Sequence, residues 1–399
     1  NTAIGHQSLY SNSTASNNTA VGYQAAYSNT TGTRNTVLGK NTYYTATTGN
    51  DNVAIGEGAM YYNTTGSFNV AVGRSALVEN TTATYNTGVG YQALNLTTTG
   101  QYNTATGGLA LQKNTTGEFN SSYGLNSMNA NTTGSNNTGY GAYSLYSNTT
   151  ASYSTAVGKN AAYSTTTSSQ GVTVVGSDAL YQNTTGTDIV AMGRAALYNN
   201  TTGNNNVALG RSALQSNTTA SSNTAVGYQA AYSNTTGSAN NAFGTSALYT
   251  NTTGSQNVAM GNNTLDNNTT GSYNVALGNQ ALGANTTASY NSALGHLALS
   301  ANTTGVSNAA VGYGALASNT TANSNTAMGV NALTANTTGA ENVALGQQAL
   351  DNNTTANNNT SLGYQAGYTN TTGGNNVFLG RQSGYSLTTG THNVLLGHQ

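Results

Sequence analysis

The sequence predicts an all-β parallel β-solenoid, a fibrous stack of about 23 coils of 17 residues each, and three observations carry that prediction. Gly stands at residue 5 and at every seventeenth residue to 158. After one residue inserted within 164–171, the period resumes at 176 and runs unbroken to 397. Each unit joins a short run of β-formers to a polar turn, as in Asn206-Val207-Ala208-Leu209-Gly210 followed by Asn217-Thr218-Thr219-Ala220. The chain also lacks Asn-Gly and Asp-Gly, the dipeptides in which a hairpin meander should abound, so stacked coils win over hairpins.

A 17-residue unit cannot bury a core alone, so each consensus position becomes a ladder along the stack. The first position is Asn (Asn1, Asn18, Asn35, Asn52, Asn69), whose amides can hydrogen-bond from coil to coil. Positions two to four form the strand. The fourth (Ile4, Val21, Leu38, Ile55, Val72) and the ninth (Leu77, Leu94, Leu111, Leu248, Leu350) are expected to be the core ladders. Alternation puts the second position (Val53, Val70, Val207, Val343) on the same face as the fourth. The third position then points the other way, yet it is mostly Ala (Ala54, Ala71, Ala191, Ala208, Ala225). Two readings of that Ala row stand: the lining of a tight inner turn, or a stripe along which chains associate laterally, as a trimer for example. The fifth position is Gly because a corner there needs a conformation that Cβ disfavours. A helical or 3₁₀ turn over 228–234 is the alternative for the segment that follows. The tenth position gathers Tyr in runs of four, Tyr10, Tyr27, Tyr44, Tyr61 and then Tyr146, Tyr163, Tyr181, Tyr198, which predicts stacked rings with a structural role. The small residue at position fifteen is Ala at 15, 83, 151, 220 and 288, the mark of a duplicated four-repeat block.

Composition excludes several classes. Charged residues make up 4% of the chain, against about 25% in an ordinary domain. Eight Lys+Arg against nine Asp+Glu give a net charge of −1, so there is no basic patch to displace counterions from a nucleic acid. No apolar run reaches the roughly 18 residues of a membrane span, and the absence of Cys removes disulfides and thiolate metal sites. The whole chain, 1–399, reads as one repeat array. It opens on the first consensus position and stops on the seventh without a capping repeat, so it is expected to be a section of a longer fibre or a unit that stacks end to end. At about 4.8 Å per coil the stack should run on the order of 110 Å.

Positions twelve to fourteen, Asn-Thr-Thr, match the N-glycosylation acceptor. The candidate sites are Asn12, Asn29, Asn63, Asn80, Asn114, Asn131, Asn148, Asn183, Asn200, Asn217, Asn234, Asn251, Asn268, Asn285, Asn302, Asn319, Asn336, Asn353 and Asn370, while Ala46, Thr97, Thr165 and Leu387 replace Asn elsewhere. In a chain with so few charges, covalent glycans are expected to supply hydration, linked to Asn or to Thr oxygens. The competing reading is a polar turn whose Asn bonds its own backbone. A third assigns the Thr row to ice, although adjacent Thr-Thr puts only one hydroxyl per coil on a given face.

The four His (His6, His296, His392, His398) and nine acids (Asp51, Glu57, Glu79, Glu118, Asp178, Asp188, Asp266, Glu341, Asp351) share no repeated spacing. His392 and His398 lie six apart, a weak metal signal, and there is no nucleophile elbow, P-loop or zinc motif. Neither enzyme activity nor a cofactor or metal is expected.

The motif Asn52-Val53-Ala54-Ile55-Gly56 followed by Ala59 resembles the head repeats of trimeric autotransporter adhesins. The longer wording Asn223-Thr-Ala-Val-Gly-Tyr-Gln-Ala-Ala-Tyr-Ser-Asn-Thr-Thr-Gly237 is similar to repeats of phage tail fibres and bacterial surface proteins. The resemblance spans the chain on one short motif, and this unit is longer than the autotransporter repeat. It implies a fibrous or adhesive role outside the cell or on a cell or virion surface. The expectation is a structural extracellular fibre that associates with itself, end to end or laterally. The shaft of an adhesin or tail fibre without its receptor-binding tip is the alternative, and an ice-binding solenoid is third.

Overall fold

A computed structural model describes residues 1–166 and 171–398. Twenty-four strands of three residues each are joined only by turns and bends, and no helix occurs among the described residues. The fold is a parallel β-solenoid. Residues 228–233 form a run of turns and Asn234 follows them, not the helical turn held as an alternative over 228–234.

Two compact units divide the chain, Asn1–Thr202 and Gly203–Gln399. The first carries β1 (Thr2–Ile4) to β12 (Val190–Met192), and the second carries β13 (Val207–Leu209) to β24 (Val394–Leu396). Within each unit consecutive strands pair in parallel, consensus position on consensus position: Val53 faces Val70 and Ala54 faces Ala71 in the first, Val258 faces Val275 in the second. Register survives the insertion, because β10 (Thr155–Val157) and β11 (Thr173–Val175) pair residues 18 apart. Residues 167–170 of the inserted stretch lie outside the described residues.

The core is thinner than the hydrophobic pattern suggests. Ala at the third position and Leu at the ninth are buried, Ala54, Ala71, Leu77 and Leu94 completely so. The second and fourth positions, expected to face the core, point outward: Val53 and Ile55 are half-buried, and Leu38, Leu294 and Met328 are exposed. Alternation identified the pair of faces correctly but not which one is inner. The interior of so small a coil mostly takes a methyl at position three, with Val37, Val174 and Phe378 as the larger buried exceptions. The Ala row therefore lines the inner turn, and it is not a lateral contact stripe.

Backbone conformation forces the corners. Gly56 has φ of +125°, and a Cβ there would sit 2.6 Å from the Gly73 carbonyl of the next coil. More unusual are side-chain-bearing residues in the left-handed region at positions seven, nine and seventeen, such as Ser75 (φ 58°), Leu77 (φ 52°) and Tyr85 (φ 59°). Such a conformation costs a non-Gly residue about 1–3 kcal/mol. It lets amide groups alternate between the coil above and the coil below. The Leu77 N–H donates to the Ala93 carbonyl at 3.0 Å, and the Ser75 N–H to the Glu57 carbonyl at 3.0 Å. Intercoil bonding thus continues through the turns, and for Leu77 burial adds a further offset.

Candidate functional site

Each coil presents one inner seam and several outer rows, and the seam explains most of the invariant polar residues. The first-position and twelfth-position Asn converge on a single carbonyl. The Gly66 oxygen accepts from Asn52 Nδ2 at 2.9 Å and from Asn63 Nδ2 at 3.0 Å, which closes the coil. Both ladders also run between coils. The Asn69 N–H donates to Asn52 Oδ1 at 3.0 Å, and Asn251 Nδ2 donates to Asn234 Oδ1 at 2.8 Å as well as to its own-coil Gly254 carbonyl at 2.9 Å.

This geometry sets the candidate Asn acceptors inside the coil. Of the nineteen candidate Asn, Asn12 in the first coil is half-buried; Asn29, Asn63, Asn80, Asn114, Asn131, Asn148, Asn183, Asn200, Asn217, Asn234, Asn251, Asn268, Asn285, Asn302, Asn319, Asn336, Asn353 and Asn370 are all buried. At Asn251 both Nδ2 hydrogens are spent inside the coil, one on a neighbouring amide and one on a turn carbonyl. A sugar on that nitrogen would replace a structural proton and has no way out. The competing reading, a turn whose Asn bonds its own backbone, describes the folded coil.

The two hydroxyls that follow differ in kind. At position thirteen Thr64 Oγ1 donates to the Thr81 carbonyl at 2.9 Å, and Thr235 Oγ1 to the Thr252 carbonyl at 3.0 Å, so this ladder is structural. At position fourteen Thr31, Thr65, Thr82, Thr236 and Thr253 are exposed, and their hydroxyls bond no protein atom among the described residues.

The tenth-position Tyr ladder forms as expected. Tyr10, Tyr27, Tyr44 and Tyr61 stack with ring centroids 5.1, 5.1 and 5.0 Å apart, and Tyr146, Tyr163, Tyr181 and Tyr198 stack at 5.0, 4.9 and 5.1 Å. Burial raises the Tyr61 and Tyr163 phenols above their ordinary range, and the neighbouring ladder phenols add to the rise. A second ladder, Phe68–Tyr85–Tyr102–Phe119 at position seventeen, was not foreseen, although aromatics at spacing 17 were there to be read. Rings stacked along the coil axis cover each other's faces and show edges to solvent. These ladders therefore offer no flat platform for a sugar or a base.

The outward strand face is the longest apolar feature. In the second unit the fourth position reads Leu209, Val226, Phe243, Met260, Leu277, Leu294, Val311, Met328, Leu345, Leu362, Leu379 and Leu396, with no polar interruption. Met328 is 51% exposed, and Leu294 and Leu362 are 49% exposed. The flanking second-position row carries no charge either.

Charged residues pair along rows rather than gathering. Arg34 and Asp51 form a two-pronged pair at 2.6 and 2.7 Å, which lowers the Asp51 carboxyl and raises the guanidinium. Lys40, Glu57 and Arg74 form a looser sixth-position row at 3.8 and 3.7 Å. His398 Nε2 lies 2.9 Å from Arg381 Nη1, not beside His392, and no three His, Asp or Glu side chains come together among the described residues. No helix of the described residues is long and apolar enough to cross a membrane. No protein-family model matches the chain, and no curated protein is significantly similar to it.

Proposed function

We propose that the chain is the shaft of an extracellular structural fibre, built of uncharged coils that associate laterally through the outward strand face. The observation that carries this reading is the uninterrupted apolar fourth-position row of β13–β24. Twelve strands at about 4.8 Å make a face roughly 50 Å long and about 10 Å wide, on the order of 500 Å². The fourth-position row supplies the apolar part of that face, while the second-position row beside it mixes Val with Thr224, Asn241, Ser292, Thr326 and Thr360. The whole face is comparable in size with the biggest apolar patch a typical soluble monomer leaves uncovered. It falls short of the roughly 800 Å² that each partner contributes to a standard interface. Contact on this face gains with every added coil, a property that suits a long repeat array better than a discrete complex. A second copy is the natural occupant, because only another solenoid repeats its rows at the same spacing and the face offers no charge for a different partner to recognise. Placement outside the cell rests on the likeness of the Asn-Val-Ala-Ile-Gly motif to surface-fibre repeats and on the 4% charge content.

The test is electron microscopy and sedimentation of the chain beside the triple variant L294K/M328K/L362K, with circular dichroism to verify the β fold. The wild-type chain should form bundled threads and the variant single ones. Bundling unchanged by three lysines on that face would refute lateral association there, and an unbundled, non-filamentous wild-type chain would refute the fibre.

A further inference from the structure

An exposed residue in a repeat protein is normally free to vary. Here the sixth position runs through Arg211, Tyr228, Thr245 and Asn262, and the seventeenth through Asn205, Ser222, Ala239 and Gln256. At Thr31, Thr48, Thr65, Thr82, Thr236 and Thr253 the fourteenth position is exposed and the hydroxyl bonds no protein atom among the described residues, and every coil of the described residues has Thr at this position. Packing does not demand Thr there, as it demands Ala at position three. Nor does the carbonyl bond that accounts for Thr at position thirteen.

An Asn-x-Thr acceptor would fix this residue as its third member. Coils that have lost the Asn exclude that explanation. Where Ala46, Thr97 and Leu387 stand at position twelve, Thr48, Thr99 and Thr389 are retained. The buried amides exclude it a second time.

We infer that the fourteenth-position Thr row, represented by Thr31, Thr48, Thr65, Thr82, Thr236 and Thr253, is an array of O-glycosylation sites carrying neutral sugars. In the reaction, Thr Oγ1 attacks the anomeric carbon of a nucleotide-activated sugar. The new glycosidic C–O bond forms as the bond to the nucleoside diphosphate breaks, and the hydroxyl proton passes to a base of the transferase. No oxidant or reductant is needed. The row lies in the bend at 12–15 of each coil, on a different wall from the strand face, so sugars here hydrate a chain with 4% charged residues without covering its association surface. Acceptors one coil apart are only about 4.8 Å from each other. Full occupancy would crowd, and the sugars must lean or skip coils. The inference deepens the fibre reading but does not share its test, since filaments are seen by microscopy and sugars by mass.

The experiment takes the natively sourced chain, measures its intact mass, and then subjects it to alkaline β-elimination with a thiol nucleophile, which tags each Thr that bore a sugar. The expected result is a mass above that of the bare polypeptide in sugar-sized steps, with tags at position fourteen and not thirteen, including Thr48 and Thr99 in coils without the Asn. A native mass equal to the bare polypeptide, or tags confined to other positions, would overturn it. So would sugars released by an amidase that converts Asn to Asp.

Discussion

The Tyr43 hydroxyl stands where the amide missing at Ala46 would be. In other coils the fifteenth-position carbonyl accepts from the Asn three residues before it, as Gly66 does from Asn63. In this coil position twelve is Ala46, and the Gly49 carbonyl instead accepts from the Tyr43 hydroxyl at 3.2 Å and from Asn35 Nδ2 at 2.9 Å. Tyr43 occupies the ninth position, normally Leu, and is fully buried. Its oxygen also accepts from Asn52 Nδ2 at 2.7 Å, and burial holds the phenol far above its ordinary range. Removing the hydroxyl takes one bond from the Gly49 carbonyl, which keeps Asn35 Nδ2, and one from Asn52 Nδ2, which keeps Gly66 and Asn35 Oδ1, at a cost of about 0.5–1.5 kcal/mol. Y43F should therefore lower the denaturation midpoint, whereas Y43L/A46N, which rebuilds the consensus coil, should recover most of the loss. Chemical denaturation of the three proteins measures this, and equal midpoints for Y43F and wild type would refute the substitution of one group for the other.

A second exchange involves volume. Phe378 replaces the third-position Ala and is buried, and the ninth position of its own coil and of the preceding one is Gly384 and Gly367 instead of Leu. A Cβ at Gly367 would lie 2.7 Å from the Phe378 ring, and one at Gly384 would overlap it. The ring occupies space next to both ninth-position glycines, where other coils place Leu. F378A alone should cost about 3–5 kcal/mol by leaving a cavity. G384L alone should cost about 1–3 kcal/mol by overpacking. The triple variant F378A/G367L/G384L should lie close to wild type, and thermal melts of the set show whether the two effects cancel.

These exchanges mark what could be read without coordinates. The period, the parallel stacking, the Asn and Tyr ladders and the all-β class follow from Gly5-to-Gly397 spacing and from recurrence at single positions, because stacking makes sequence period and spatial neighbour the same thing. The inward face was misassigned because hydropathy ranks Ile55 above Ala54, whereas a narrow coil selects for size. Asn63 was placed on the surface because polar turns usually lie there, and its burial depends on a carbonyl fifteen residues into a 17-residue coil turning inward. The repeated left-handed residues, Leu77 among them, run against backbone preference and had no signal at all.

The buried amide ladder makes a sharp electrostatic prediction. Asn251 donates to Asn234 Oδ1 and Gly254, while its own Oδ1 accepts from Asn268 Nδ2 at 2.8 Å. Replacing that amide nitrogen by oxygen in N251D sets a carboxylate against two acceptors in a site closed to water. Breaking such a site with an unpaired charge costs about 3–5 kcal/mol. The folded-state pKa of the new Asp must rise, so the folded form holds a proton that the unfolded form has released. Stability of N251D should then be greatest in acid and fall as pH rises above the ordinary carboxylate range. Denaturation midpoints of N251D that do not vary with pH would show that water reaches this ladder.

Native carboxylates give a smaller effect of the same sign in the second unit. Asp266 and Asp351 sit at the tenth position, and burial raises both above the ordinary carboxylate range, against opposing hydrogen bonds from the backbone at Asp266 and Asn267 and from Thr334 and Gln348. With more protons bound in the folded than in the unfolded state through this window, their contribution to stability falls as pH rises through it. Asp51 in the first unit runs the other way. The Arg34 pair lowers its carboxyl, so the benefit is present above the ordinary range and is lost as pH falls. Both groups of that pair reach solvent, so salt should erase the Asp51 effect while leaving most of the effect of the half-buried pair. Thermal melts from about pH 3 to about pH 7, at low and high salt, separate the two. D266N/D351N should flatten the high-salt decline and raise the melting temperature at neutral pH. A decline of unchanged slope in that variant would assign it to other groups.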